Sequence, residues 1–178
     1  MLFSFRLVYL LAVVTAPYRL APTWSVPLRP IAAEQPRPAK AAWQYESKSD
    51  QISGRVDKAI LAATNVVQFP YPYAGGSRVS LILRNRNGRT NAYLTTSKGL
   101  FTSSFQGGRA QLRFDGARAV TYTLIAAENG SGSTVFFDDD QQLIRQIRSS
   151  KRLTMRVQCP GLSLDELHFA TAGLHWKQ

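Results

Sequence analysis

Val79-Ser80-Leu81-Ile82-Leu83-Arg84-Asn85-Arg86-Asn87-Gly88-Arg89-Thr90-Asn91-Ala92-Tyr93-Leu94-Thr95-Thr96 is the stretch that decides the fold. Val79, Leu81 and Leu83 share one side of a period-two pattern; Ser80, Ile82 and Arg84 share the other. A helix would repeat its apolar residues every three or four positions, whereas alternation marks a half-buried strand. Asn87-Gly88 then supplies two residues that tolerate positive φ, the strongest short-range hairpin signal. The stretch predicts two antiparallel strands, the second over about Thr90–Thr96.

The same pattern recurs outward from this hairpin. Upstream, Trp43 to Ser47 alternates and reads as a first strand. Val56 to Ala63 fits a short helix or a strand, and Asn65 to Phe69 reads as a strand. Downstream, Leu100 to Phe105 and Ala110 to Asp115 read as a hairpin around Gln106-Gly107-Gly108-Arg109. Ala110, Leu112 and Phe114 point inward, with Gln111, Arg113 and Asp115 outward. Val120 to Ile125, Val135 to Phe137, and Leu153 to Cys159 add further strands, with Leu167 to Phe169 and Leu174 to Trp176 closing the sheet. One helix interrupts them over residues 140–149, with Leu143, Ile144 and Ile147 as its apolar stripe and Asp140 as its N-cap. Short strands separated by turns predict an all-β fold, an antiparallel β-sandwich with one short helix.

The first 42 residues read differently. Leu7 to Ala16 is a continuous apolar run of ten residues behind Arg6. A membrane span takes about 20 residues, so this run has the length of a secretory signal, residues 1–16 being a signal peptide or, uncut, a membrane anchor. No Cys follows it, so there is no lipoprotein anchor. Residues 17–42 hold six of the nine prolines without an apolar period and read as a Pro-rich disordered linker. The folded domain is expected over 43–178. Together these features predict a periplasmic or secreted protein, held at the inner membrane by residues 1–16 if they are retained.

The residues give no constellation for catalysis or metal binding. The one cysteine, Cys159, shares its strand face with Leu153, Met155 and Val157, which makes it a core residue rather than a nucleophile. There is no Gly-x-Ser-x-Gly elbow and no Gly-rich phosphate loop. Asp138-Asp139-Asp140 lacks the spacing of a calcium loop and reads as a helix-start cluster. His168 and His175 are too few for a zinc site. The expected protein is not an enzyme and uses no metal or cofactor.

Charge is the informative property. The chain is +11, and residues 43–178 keep 17 of its 22 Lys/Arg and 10 of its 11 acids, hence +7. Such a surface draws anions. Arg84, Arg86 and Arg89 surround the hairpin tip, with Tyr71, Tyr73 and Tyr93 near them in sequence; Arg145, Arg148, Lys151, Arg152 and Arg156 cluster around the helix and the next strand. With Arg113 these are the candidate partner-binding residues. Arginines beside exposed aromatics also offer a route to single-stranded nucleic acid, but export removes the chain from most of it. The expected partner is an envelope protein or an anionic cell-envelope polymer.

Several short motifs occur in an order that resembles a loose group of small exported bacterial β-sandwich proteins, which includes accessory proteins of the type VI secretion system. They are Trp43 with Asp50-Gln51-Ile52-Ser53-Gly54, Leu81-Ile82-Leu83-Arg84, Leu112-Arg113-Phe114-Asp115-Gly116, Val135-Phe136-Phe137, and Gly173-Leu174 with Trp176. Secretion-associated members usually show Cys after the Leu-x-x-Arg segment, where this chain has Asn85. The resemblance implies a non-catalytic envelope binding or accessory module and transfers no catalytic residue. Three of the shared residues are expected to be structural. Asp115 sits about 7 Å from Arg113 on one strand face, where Arg84 from a neighbouring strand would pair with it. Trp43 and Trp176 would pack together at the two ends of the domain.

Overall fold

The computed structural model describes residues 43–50, 54–73, 75–102 and 106–176, so the expected signal peptide or anchor over 1–16 and the expected linker over 17–42 lie outside the described residues. Nine strands and one helix follow in order: β1 (Gln44–Asp50), β2 (Gly54–Ala62), β3 (Val79–Arg86), β4 (Arg89–Thr96), β5 (Gly108–Phe114), β6 (Val120–Ala126), β7 (Thr134–Phe137), α1 (Asp140–Ser149), β8 (Leu153–Cys159) and β9 (Leu162–Phe169). They form one antiparallel sheet in the order β1-β2-β3-β4-β7-β6-β5-β8-β9. Asn87 and Gly88 both take positive φ, 51° and 80°, the type I′ geometry whose twist suits a two-residue hairpin.

Alternation buries one face of every strand from β2 onward. Leu61, Leu81, Leu83, Leu94, Leu112, Leu124, Leu153 and Met155 are fully enclosed, as are Leu143, Ile144 and Ile147 of α1. Each such side chain is worth about 1.5–3 kcal/mol in burial. The sheet folds over this core until its two ends meet. Thr64, just past β2, donates its backbone N–H to the His168 carbonyl of β9 at 2.7 Å. The Trp43 indole, just before β1, donates to the Thr171 carbonyl at 3.0 Å. The sandwich is therefore made from a single continuous sheet. Trp43 and Trp176 both enter the core cluster, and the Arg148 guanidinium donates to the Trp176 carbonyl at 2.5 Å.

Four sequence expectations need correction. Asn65–Phe69 is not a strand and contributes only an isolated bridge from Val67 to Ser77, whereas Val56–Ala63, open between helix and strand in the sequence, is strand within β2 apart from its last residue. Leu100–Thr102 is not strand; the Phe101 and Thr102 amides both turn to the Gly132 carbonyl, and β5 pairs with β6 and β8 instead. Residues 174–176 are irregular, and the last strand is β9. The helix N-cap is Asp139, whose side chain accepts from the Gln142 amide at 3.0 Å.

Asp140, one residue later, has a different task. The ladder between β4 and β7 stops at Tyr93–Phe136, so Ala92 has no ladder partner on β7. The next amide on β4, that of Ala92, donates instead to the Asp140 carboxylate at 2.5 Å, and the Asn91 amide adds a bond at 3.4 Å. The carboxylate thus extends the missing ladder and docks α1 on β4. Burial pushes its pKa up; the hydrogen bonds from Ala92 and Asn91 oppose this, and Asp139 and Asp138 add to it.

Candidate anion-binding face

The outer sides of β6, β5, β8 and β9 include a basic surface. On β5 the outward residues are Arg109, Gln111 and Arg113, all exposed. The β5–β8 register sets Arg109 opposite Gln158, Gln111 opposite Arg156, and Arg113 opposite Thr154. Arg156 is therefore the diagonal neighbour of both Arg109 and Arg113, at a backbone separation of about 7–8 Å. On the other flank, Thr123 and Thr121 of β6 stand opposite Arg109 and Gln111. The three arginines thus share a floor of threonine and glutamine side chains. No carboxylate pairs with Arg109, Arg113 or Arg152 among the described residues.

Two clefts open at the ends of this face. One, of about 440 Å³, is lined by Arg113, Arg152, Thr154, His168, Thr64 and Asp115, among others. The other, of about 500 Å³, is lined by Arg109, Thr123, Gln158 and Cys159, with Gly107 and Gly108. A Cβ at Gly108 would collide with the Gln158 carbonyl and the Cys159 sulfur, so the glycine is what lets β5 start this close to β8. Cys159 itself is buried, and burial pushes its thiol up, which fits a core residue. Arg109 and Arg113 are four residues apart on one strand, about 13 Å along it.

Asp115 builds the first cleft without neutralising it. It holds the β5–β6 turn at φ 47°. Its carboxylate accepts the Lys151 amide at 3.0 Å and the Arg152 amide at 2.8 Å, while its own N–H donates to the Arg152 carbonyl at 2.9 Å. These bonds clip the α1–β8 connection to the turn and bring Arg152 into the cleft beside Arg113. The sequence expectation that Arg84 would pair with Asp115 is corrected: β7 and β6 stand between β4 and β5, and Arg84 faces Lys58 and Asn91.

The candidate arginines accordingly separate. Arg84 lies 5.5 Å from the Tyr93 ring centre and 5.6 Å from that of Phe136, and donates to the Asn91 side-chain carbonyl at 3.0 Å. It is a cation–π brace. Arg86 and Arg89 face each other across the hairpin tip, both exposed. Tyr71 and Tyr73 do not join them. They sit in the loop before Val79, at the other end of an eight-residue strand about 25 Å long. Tyr71 is 95 % exposed and stands apart from the arginines. Arg145 and Lys151 are exposed at α1 and just after it, while Arg148 ties down Trp176.

The comparisons find nothing. No family model, curated protein or solved structure matches the chain. The geometry of this face is the material for a functional reading. Arg113, Arg152 and Arg156 were legible as candidates, but Arg109 was read as a turn residue because two glycines precede it. The signal that finds it is the continued alternation Arg109, Gln111, Arg113. No group of three His, Cys, Asp or Glu side chains converges among the described residues, and no described helix is long and apolar enough to cross a membrane.

Proposed function

We propose that this chain is an exported, non-catalytic envelope module that binds an anionic cell-envelope polymer through the outer face of β5 and β8. One observation carries the reading: Arg109, Arg156 and Arg113 run diagonally across two adjacent strands on a polar floor. Guanidinium groups spaced along a strand suit a repeating anion better than a single small one. The apolar run at residues 7–16 supports the export half of the proposal. The resemblance to exported β-sandwich proteins supports the accessory-module half, with a secretion system as one setting.

The test is co-sedimentation of the full chain with isolated envelope fragments, before and after chemical removal of their anionic polymer, across a salt series. The proposal expects binding that is lost with the polymer and weakens steadily with salt through counterion release. Retained binding to stripped fragments would favour an envelope protein as partner. Equal binding to any polyanion, nucleic acid included, would reduce the face to a general cation surface. The mass of the mature N-terminus in the same preparation reports whether residues 1–16 are cut.

A further inference from the structure

The two edges of the sheet are treated differently. The β9 edge is covered. Asn65 behaves as a strand residue through its side chain, donating to the Glu166 carbonyl at 2.8 Å and accepting the His168 amide at 2.9 Å. Thr64 adds its own N–H to the His168 carbonyl. Among the described residues, the β1 edge has no such cover. Gln44 to Ser49 are all exposed, and no described residue pairs with β1 other than β2. Tyr45 is tethered through its hydroxyl, which accepts the His175 amide at 2.8 Å. An open edge is a template for another strand.

The backbone phase of β1 follows from its neighbour. The Arg55 carbonyl accepts from the Asn87 amide, and the Ala63 amide donates to the Val79 carbonyl. Odd-numbered residues of β2 therefore bond toward β3, and even-numbered ones toward β1. Gln44, Glu46, Lys48 and Asp50, their register partners, bond back to β2. Tyr45, Ser47 and Ser49 then present N–H and C=O groups outward. A second β1 strand approaching by two-fold symmetry must pair odd residues with odd ones. Three central registers satisfy this condition. One faces Glu46 with Glu46 and another faces Lys48 with Lys48, each setting like charges opposite one another. The third, centred on Ser47, faces Glu46 with Lys48 twice, and sets Tyr45 opposite Ser49.

We infer that β1 pairs with β1 of a second copy of this chain, antiparallel and centred on Ser47, joining two sheets into one. The occupant is chosen by charge complementarity: of the three central registers, which pair most of the strand, the one centred on Ser47 alone has no like-charge pair at its centre, and it forms two ion pairs. The strand is short and polar, so the association is a concentration-dependent equilibrium rather than an obligate dimer.

Charge reversal on the full chain tests this, read by sedimentation equilibrium at low salt and by disulfide trapping. Glu46→Lys and Lys48→Glu should each weaken association at least tenfold, and the double variant should restore it. Ser47→Cys should form an intermolecular disulfide under mild oxidation, because facing residues of a bonded pair lie about 5.5 Å apart, within disulfide range. Glu46→Lys in that background should suppress the link. Glu46 faces Lys58 on β2 and the Ser47 hydroxyl donates to Asp57, so circular dichroism and melting temperature are matched to the parent for each variant before association is compared. A parent that stays monomeric at every concentration, or single reversals that leave association unchanged, would overturn the inference. So would a double variant that fails to recover. Anion binding by the β5–β8 face is independent of each of these outcomes.

Discussion

The outer face of this sheet contains two regions built by the same alternation and used in opposite ways. Across β2, β3, β4, β7 and β6, one register row reads Ile60, Ile82, Tyr93, Phe136, Ile125. Arg84 lies over this row, held by two rings and by Asn91. Across β6, β5 and β8, the facing rows contain Thr121, Gln111 and Arg156, and Thr123, Arg109 and Gln158. Among the described residues, no ring lies beneath Arg109 or Arg113. The comparison teaches that an arginine on a strand is assigned its role by cross-strand neighbours. In the first region it is part of the fold; in the second, at Arg109 and Arg113, the side chain is exposed to solvent.

The comparison can be broken from either side. Phe136→Ala should have the largest effect on stability, about 2–3 kcal/mol, less than a fully buried phenylalanine because the ring is half-buried. Denaturant melts should show this loss while anion binding is unchanged. Asp115→Ala comes next. Removing a carboxylate that accepts two backbone amides should cost about 1–3 kcal/mol, and here anion binding should weaken too, since Arg152 loses its anchor. Asp115→Asn keeps the positive-φ turn and should recover part of both.

Smaller effects sharpen the contrast. Arg109→Gln and Arg113→Gln should leave stability within about 0.5 kcal/mol. Each should lower the slope of log affinity against log salt by about one, measured by titration with a defined polyanion. Arg84→Ala should do the reverse, lowering stability by about 1–2 kcal/mol and leaving the salt slope alone. It should also move one tyrosine titration. Burial raises the Tyr93 phenol, the nearby Arg84 charge opposes that, and Glu46 adds to it. Removing Arg84 should push the Tyr93 transition further up in an ultraviolet titration. A phenol raised in the folded state stabilises the fold below its unfolded value near pH 10 and withdraws that stability as pH climbs through the folded value. Raising the folded value further in Arg84→Ala widens the loss between the two values, so this variant, already less stable at neutral pH, should reach its alkaline limit closer to neutrality than the parent.

Local signals were legible in the sequence, and long-range ones were not. The hairpin at Asn87-Gly88, the β8 alternation from Leu153 to Cys159 and the stripe Leu143, Ile144, Ile147 are local patterns, and each appears as read. The pairing of β5 was misread because strand order is set by the whole core, and Gly107-Gly108 looks like a turn. In fact Gly108 opens a strand where a side chain would strike β8. Asp140 looked like the cap because it begins the helix; the amide of Ala92, 48 residues away, claims it instead. The same limit applied to the site. Arg84 and Arg113 carry the same sequence signal, an arginine among alternating apolar residues. Only the order β4-β7-β6-β5-β8 shows that Phe136 sits beside one, and Thr154 beside the other.

Two matched triple variants test the central claim most directly. Arg109→Gln/Arg113→Gln/Arg156→Gln removes three charges from the β5–β8 face. Arg86→Gln/Arg89→Gln/Arg145→Gln removes three exposed charges from elsewhere in the domain. Both are titrated with the same purified envelope polymer over a salt series. The account predicts that the face variant loses binding and about three units of salt slope, while the matched variant stays close to the parent. Equal losses in the two would contradict it, because binding would then follow net charge and not this face.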